Sequence, residues 1–305
     1  MELFFAQLLN GCALGALYGL FGIGFGLVFA TMGILNAAQG AYASWAAIIA
    51  MYAIDLLGLP FPLAVVVGIV AGGVVAVVVD QVGFEPLRRF GPGSHQAEML
   101  GALITSIAFW IMLDSAAGFM TGQQSLAFPP GSYPATVYHA TLFQGGTVLL
   151  PAMQLISLVG LLVVGGGMHW LNTRTRFGAA MRAVGWDPVA AGLGGVDSRV
   201  IVMATAFLSG GISGFAGILS GISTANVSAS LGQGLMLKGF AAVVVGGYDD
   251  IRGTAIAGLA LGVLEVFCAQ YLSSSWRDGF AYALLLGFLM LRPRGLFGST
   301  GFTRA

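Results

Sequence analysis

Apolar residues follow one another along this chain in runs longer than soluble helices or strands bury. Residues 3–54 contain no Asp, Glu, Lys or Arg, and about 20 consecutive apolar residues already span a bilayer. Dividing the chain at its polar breaks predicts helical spans near 5–30, 37–57, 61–82, 98–118, 145–171, 200–222, 234–248, 253–272 and 277–291. The seventh is short of a full crossing and reads as a tilted span, a half-helix or a re-entrant segment buried in protein. The predicted fold class is an all-α polytopic membrane protein, one transmembrane domain over 1–305. It has about nine helices, or eight if the first two spans are arranged differently.

Composition agrees. Of 305 residues, 57% are hydrophobic and 8% charged, against about 25% charged in soluble domains; mean hydropathy is +0.91. The formal net charge is zero, which gives no handle on polyanions and excludes a nucleic-acid partner. Cys12 and Cys268 lie in apolar segments, where a small buried side chain is expected rather than a disulfide or metal ligand. The N-terminus lacks the basic start of a cleavable signal, so the first helix is expected to be retained.

Basic residues predict orientation. Arg88 and Arg89 sit in loop 83–97, Arg174, Arg176, Arg182 and Arg199 in or beside 172–199, and Arg292, Arg294 and Arg304 near the end. Loops 57–61 and 119–144 contain neither Lys nor Arg, so they are expected outside, with the basic loops and the C-terminus cytoplasmic. Glycines recur at four-residue spacing, as Gly11, Gly15 and Gly19, Gly68 and Gly72, Gly210 and Gly214, Gly217 and Gly221, and Gly258 and Gly262. Such stripes bring helices close, either within one chain or across a dimer seam.

Catalytic chemistry is missing. Lys238 is the only lysine and is followed by Gly239, so there is no phosphate-cradling P-loop. His95, His139 and His169 are scattered, without metalloprotease spacing, and no nucleophile elbow is present. No catalytic or metal-ligating residue is predicted. Asp80, Asp114 and Glu265 are the acidic residues in or near spans; they form no chain for a coupling ion, though a gradient-driven transporter or channel acting alone stays open.

Segment 172–199 carries its own helix signals. Asp187 can cap a short helix with Pro188 at its first position; Val189, Ala190, Ala191 and Leu193 supply an apolar face; Gly194 and Gly195 end it. Such a helix, with Arg176 and Arg182 beside it, can seat in a groove on a partner protein or lie on anionic lipid.

This segment resembles the cytoplasmic coupling loop of ABC importer permeases for branched-chain amino acids, the LivH type. Their pattern of Thr-Arg-x-Gly-x-x-x-Arg-Ala and Asp-Pro-x-Ala-Ala-x-x-x-Gly is met by Thr175, Arg176, Gly178, Arg182, Ala183, Asp187, Pro188, Ala190, Ala191 and Gly195. Residues 237–263, 84–89 (FEPLRR) and 292–298 (RPRGLFG) resemble further family signatures. The resemblance implies an ABC importer permease bundle in the bacterial inner membrane that binds no nucleotide itself. ATP and magnesium would sit on separate ATPase subunits docked at Arg176, Gly178, Arg182, Asp187, Pro188, Ala190, Ala191, Gly192 and Gly195. A second, LivM-like permease subunit and a periplasmic substrate-binding protein would complete the importer. The implied cargo is a branched-chain or other small amino acid, with urea, a short amide or another small organic acid as alternatives.

Residues 33–42 place two amides between apolar runs. Two readings stand: a helix break at depth presenting backbone N–H groups to a carboxylate, or a cytoplasmic turn capped by Asn36. The family usually reads Asn-Phe-Ala-His-Gly here; Asn36 and Gly40 match, while Ala37 and Gln39 depart. The candidate substrate-path residues are Asn36, Gln39, Gly40, Ser213 and Asn226.

Overall fold

The computed structural model describes residues 2–90, 95–142, 146–248 and 250–271, with isolated positions 279, 282, 283, 287, 288, 290 and 295 beyond them. Helices α1 (Glu2–Met32), α2 (Gln39–Asp55) and α3 (Phe61–Val79) come first; α3 runs through a π-helical turn, Asp80–Phe84, into α4 (Glu85–Phe90). Then follow α5 (His95–Thr121), strands β1 (Val137–Leu142) and β2 (Gly146–Pro151), α6 (Ala152–Arg174), α7 (Arg176–Trp186), α8 (Pro188–Leu193), α9 (Ser198–Ser223), α10 (Leu231–Gly246) and α11 (Ile251–Tyr271).

Six of the described helical stretches are long and apolar enough to cross a membrane: Leu3–Met32, Phe61–Arg88, Met99–Thr121, Ala152–Arg174, Ser198–Ser223 and Ile251–Tyr271. The two shorter helices, α2 and α10, hold 17 and 16 residues. The predicted ninth span, 277–291, lies outside the described residues apart from isolated positions, so the count of nine is not reached among them.

The predicted fifth span requires correction. Residues 146–151 form a strand paired antiparallel with 137–142, Val137 opposite Pro151 and Leu142 opposite Gly146. Pro151 explains the late helix start, since an interior proline removes a backbone bond and clashes with the preceding turn; it stands instead at the N-cap of α6 with φ −59° and ψ 135°. Apolarity alone does not separate strand from helix over so short a run.

Helix α1 is the axis of the bundle. Its Leu20, Phe21 and Ile23 are buried against Leu161 of α6, Leu219 of α9 and Val243 of α10. Between lipid-bathed helices no apolar surface leaves water, so close van der Waals packing of small residues holds the crossings. A Cβ on Gly262 would lie 2.2 Å from the Gly15 nitrogen, and one on Gly210 would lie 2.4 Å from the Gly72 carbonyl oxygen. The glycine stripes thus pair within the chain, α1 on α11 and α3 on α9. The outer faces of α3 and α5 expose Val66, Val70, Val74, Ile104, Ile111 and Phe119, as helices in hydrocarbon do.

Lys238 of α10 and Glu265 of α11 form an ion pair at 2.7 Å, with side chains 13% and 1% exposed. Glu265, a candidate for ion coupling in the sequence, is held by a neighbouring helix.

Candidate functional site: a surface segment joined to a buried polar cluster

Segment 175–197 is built by successive local caps. The Thr175 hydroxyl accepts from the Gly178 amide at 3.1 Å and starts α7. The Asp187 carboxylate accepts from the amides of Val189 and Ala190 at 2.8 and 3.0 Å, with Pro188 at the first helical position of α8. Gly195 ends that turn at φ +81°, a conformation glycine adopts without steric cost, and the Val196 amide donates back to the Ala191 carbonyl at 3.0 Å. Asp197 caps α9 through the Arg199 and Val200 amides. The predicted short helix 188–193 is present, and α7 is a second helix within the same segment.

The segment has an inner and an outer side. Ala191 is buried with Val184 and Val202, against Met32 at the end of α1. A Cβ on Gly178 would lie 2.3 Å from the Leu171 carbonyl oxygen, and one on Gly185 would lie 2.3 Å from that of Ala30. These residues fasten the segment to α6 and α1, so Ala191 and Gly178 do not face outward. Arg182 donates to the Asn172 backbone carbonyl and, at 3.3 Å, to its side-chain oxygen. The outer side carries Val189 and Leu193, 73% and 88% exposed, with Asp187, Pro188, Ala190, Gly192 and Gly195 also exposed, and Arg176 at the start of α7.

Beside it, Arg88 bonds Asp80 at 2.8 Å and Glu85 at 3.3 Å, and Arg199 reaches Gln81 at 3.0 Å and Glu85 at 3.7 Å. This network ties the start of α9 to the π-turn and α4.

From Met32 the chain turns at Gly33, φ +69°, and residues 33–38 lead back into the bundle. Asn36 accepts from the Ala38 amide at 3.0 Å and donates to the Tyr42 hydroxyl at 3.0 Å; the Ala37 amide donates to Ser106 at 3.1 Å. Gln39, the first residue of α2, is fully buried. Its Nε2 donates to the hydroxyls of Ser209 and Ser213 at 2.7 and 2.6 Å, and Ser209 donates to the Gly24 carbonyl at 2.7 Å. Ser209 stands about 16 Å along α9 from Ser198, at ~1.5 Å per residue. The break therefore ends inside the bundle at Gln39 rather than at the surface, although Asn36 does cap its turn through the Ala38 amide. Gly40 packs directly on Gly232 of α10, whose added Cβ would meet the Gly40 carbonyl oxygen.

The Gln39 Oε1 has no hydrogen-bond partner among the described residues. Leaving a buried acceptor unmet costs about 1–3 kcal/mol, so α2 begins at an incompletely satisfied polar point packed on α9. No charge is placed there. Of the five candidate path residues, Gln39 and Ser213 touch, Asn36 and Gly40 flank them, and Asn226 lies elsewhere. Asn226 is exposed and accepts from Ser125 at 2.8 Å, beside the Leu126–Val227 bridge.

Ser209 is not among the candidate path residues, although its spacing one turn before Ser213 puts both on one face. The Lys238–Glu265 pair is likewise not among the sequence-based expectations, although its signal is two opposite charges within apolar spans.

Residues 7–289 match the family described as branched-chain amino acid transport system / permease component. The chain belongs to this family. It is similar to the high-affinity branched-chain amino acid transport system permease protein BraD of Pseudomonas aeruginosa, 29% identical over 96% of this chain and 95% of the relative. It is also similar to LivH of Escherichia coli, 27% identical over 97% and 96%, and to the probable LivH of Methanocaldococcus jannaschii, 27% identical over 92% and 88%. No solved structure matches it. The permease is a multi-pass membrane protein and a transport subunit of an ABC importer.

Proposed function

We propose that this permease carries a branched-chain amino acid across the bacterial inner membrane, driven by ATPase subunits docked on segment 175–197. The observation that carries the reading is the outer side of α8: Val189 and Leu193 stand in the open on a helix fastened from beneath by Ala191. An apolar pair on a rigid surface turn suits insertion into a groove of another protein. The chain lacks a P-loop, so ATP and magnesium belong to that partner, and the permease is not itself an enzyme. The basic end faces the cytoplasm with the C-terminus, by the positive-inside bias. A LivM-like permease subunit and a periplasmic binding protein complete the assembly.

The same contacts suggest how docking reaches the path. Movement of α7 and α8 bears on Met32 through Val184 and Ala191, Met32 leads into the 33–38 break, and the break ends at Gln39. Gln39, Ser209 and Ser213 form a neutral constriction in its closed state, and parting α2 from α9 opens it. Neutral donors and acceptors suit a low-affinity passage, with cargo supplied by the binding protein. Glu265 and Asp80 are each held by a basic residue, which supports ATP rather than an ion gradient as the energy source.

The test is uptake by the permease reconstituted with its ATPase, second permease and binding protein. Leucine, isoleucine or valine uptake that requires ATP inside and stops with a P-loop variant of the ATPase supports the reading. Uptake that follows membrane potential without ATP refutes it.

A further inference from the structure

A cavity of about 210 Å³ opens where the last part of α1 meets α7, the start of α11 and the turn before it. Leu27, Met181 and Ile251 wall it with apolar surface, and Trp186 stands at its side. Arg182 and Asp250 line the same space, yet no ion pair joins them. Each is positioned by other bonds: Arg182 by Asn172, and Asp250 by the Arg252 amide, which it accepts at 2.9 Å. Thr31 and Thr254, both buried, add hydroxyls to the lining. The space far exceeds the roughly 10–15 Å³ that a single water needs, and it admits a small organic ligand.

A cation and an anion that line one largely apolar chamber without pairing with each other are complementary to a zwitterion with an aliphatic body. We propose that this cavity binds a free aliphatic α-amino acid, its carboxylate toward Arg182, its ammonium toward Asp250 and its side chain against Leu27, Met181 and Ile251. The inference rests on the reading of this chain as an amino-acid permease. On the proposed orientation the cavity lies at the cytoplasmic end, so the ligand is the imported product. Bound there, it bridges α7 to the start of α11 and restrains the segment on which the ATPase acts. The site is separate from the Gln39 cluster and serves feedback by product rather than passage.

The test uses the full-length permease in detergent without binding protein, following tryptophan fluorescence and thermal unfolding while leucine is added. Isovalerate and isopentylamine, each lacking one of the two charges, serve as comparisons. Wild type is expected to respond saturably to leucine and weakly to either analogue. Asp250→Asn keeps a side chain able to cap α11 and removes the charge; with Arg182→Gln it is expected to weaken the response about tenfold, as loss of one charged bond does. If Arg182→Gln fails to fold, Asp250→Asn carries the test alone. A wild type without response, or a response that survives in Asp250→Asn, overturns the proposal. So does a response to short-chain phosphatidylethanolamine in place of leucine, which assigns the cavity to lipid. An importer that transports leucine while its permease shows no response refutes this inference alone, whereas an importer that never transports amino acids refutes the reading beneath it.

Discussion

Lys238 Nζ lies 2.7 Å from Glu265 Oε1 and 5.3 Å from the centre of the Tyr18 ring, so one charge pair joins α10, α11 and α1. Charges within a span are costly unless paired. Lys238→Met strands a buried carboxylate and is expected to cost ~3 kcal/mol or more. Lys238→Met with Glu265→Leu removes both charges and is expected to recover most of that loss. Thermal unfolding in detergent of the two singles and the double variant checks the relationship, and equal losses for single and double variants contradict it.

The glycine crossings make a sharper contrast. A Cβ on Gly262 meets the Gly15 backbone at 2.2 Å, whereas one on Gly166 or Gly167 meets nothing within 4 Å. Gly262→Ala is therefore expected to force α1 from α11 and sharply reduce the yield of folded permease. Gly166→Ala is expected to leave yield unchanged or slightly raised, since alanine is the better helix former. Size-exclusion profiles of the two variants decide the matter.

At the constriction, Gln39→Leu removes an amide whose oxygen is already unmet, and Ser209 keeps its bond to the Gly24 carbonyl. Stability is expected to fall by about 1–3 kcal/mol, because the buried Ser213 hydroxyl loses the bond it accepts from Gln39. Transport is expected to change several-fold while ATPase docking persists. Measuring melting temperature alongside ATP-driven uptake separates the two effects.

Asp187 acts through two amides. Asp187→Ala loses a cap worth about 1 kcal/mol, which corresponds to roughly fivefold in the population of ordered α8. Asp187→Asn keeps an acceptor and is expected to transport near the wild-type rate. Comparing uptake rates for the two variants tests whether α8 must be formed for coupling.

Local signals were legible and distant ones were not. Asp187, Pro188 and Gly195 announce α8 because capping and termination depend on neighbours in sequence. The four-residue glycine spacing announced close crossings but not which stripe meets which. The depth of residues 33–40 could not be read, because it is set by Ser209 and Ser213, 170 and 174 positions away from Gln39. Ala191 was grouped with the outer apolar face, yet it turns inward: the wheel of so short a helix does not reveal which side the bundle covers. Residues 146–151 continue the apolar run of α6, so apolarity alone joins them to that helix, whereas the sterics of Pro151 start it at Ala152.

The proposed docking is of a separate ATPase on the outer side of α8. Its most direct test is mild-detergent purification of tagged permease carrying Val189→Asp and Leu193→Asp, with quantitative mass spectrometry of the bound proteins beside wild type. Wild type is expected to retain a P-loop ATPase and a second permease, and the variant to be inserted and folded, to keep the second permease and to lose the ATPase. Retention of the ATPase by the variant at the wild-type level, or a wild type that purifies without any ATPase while a control importer stays intact, contradicts it.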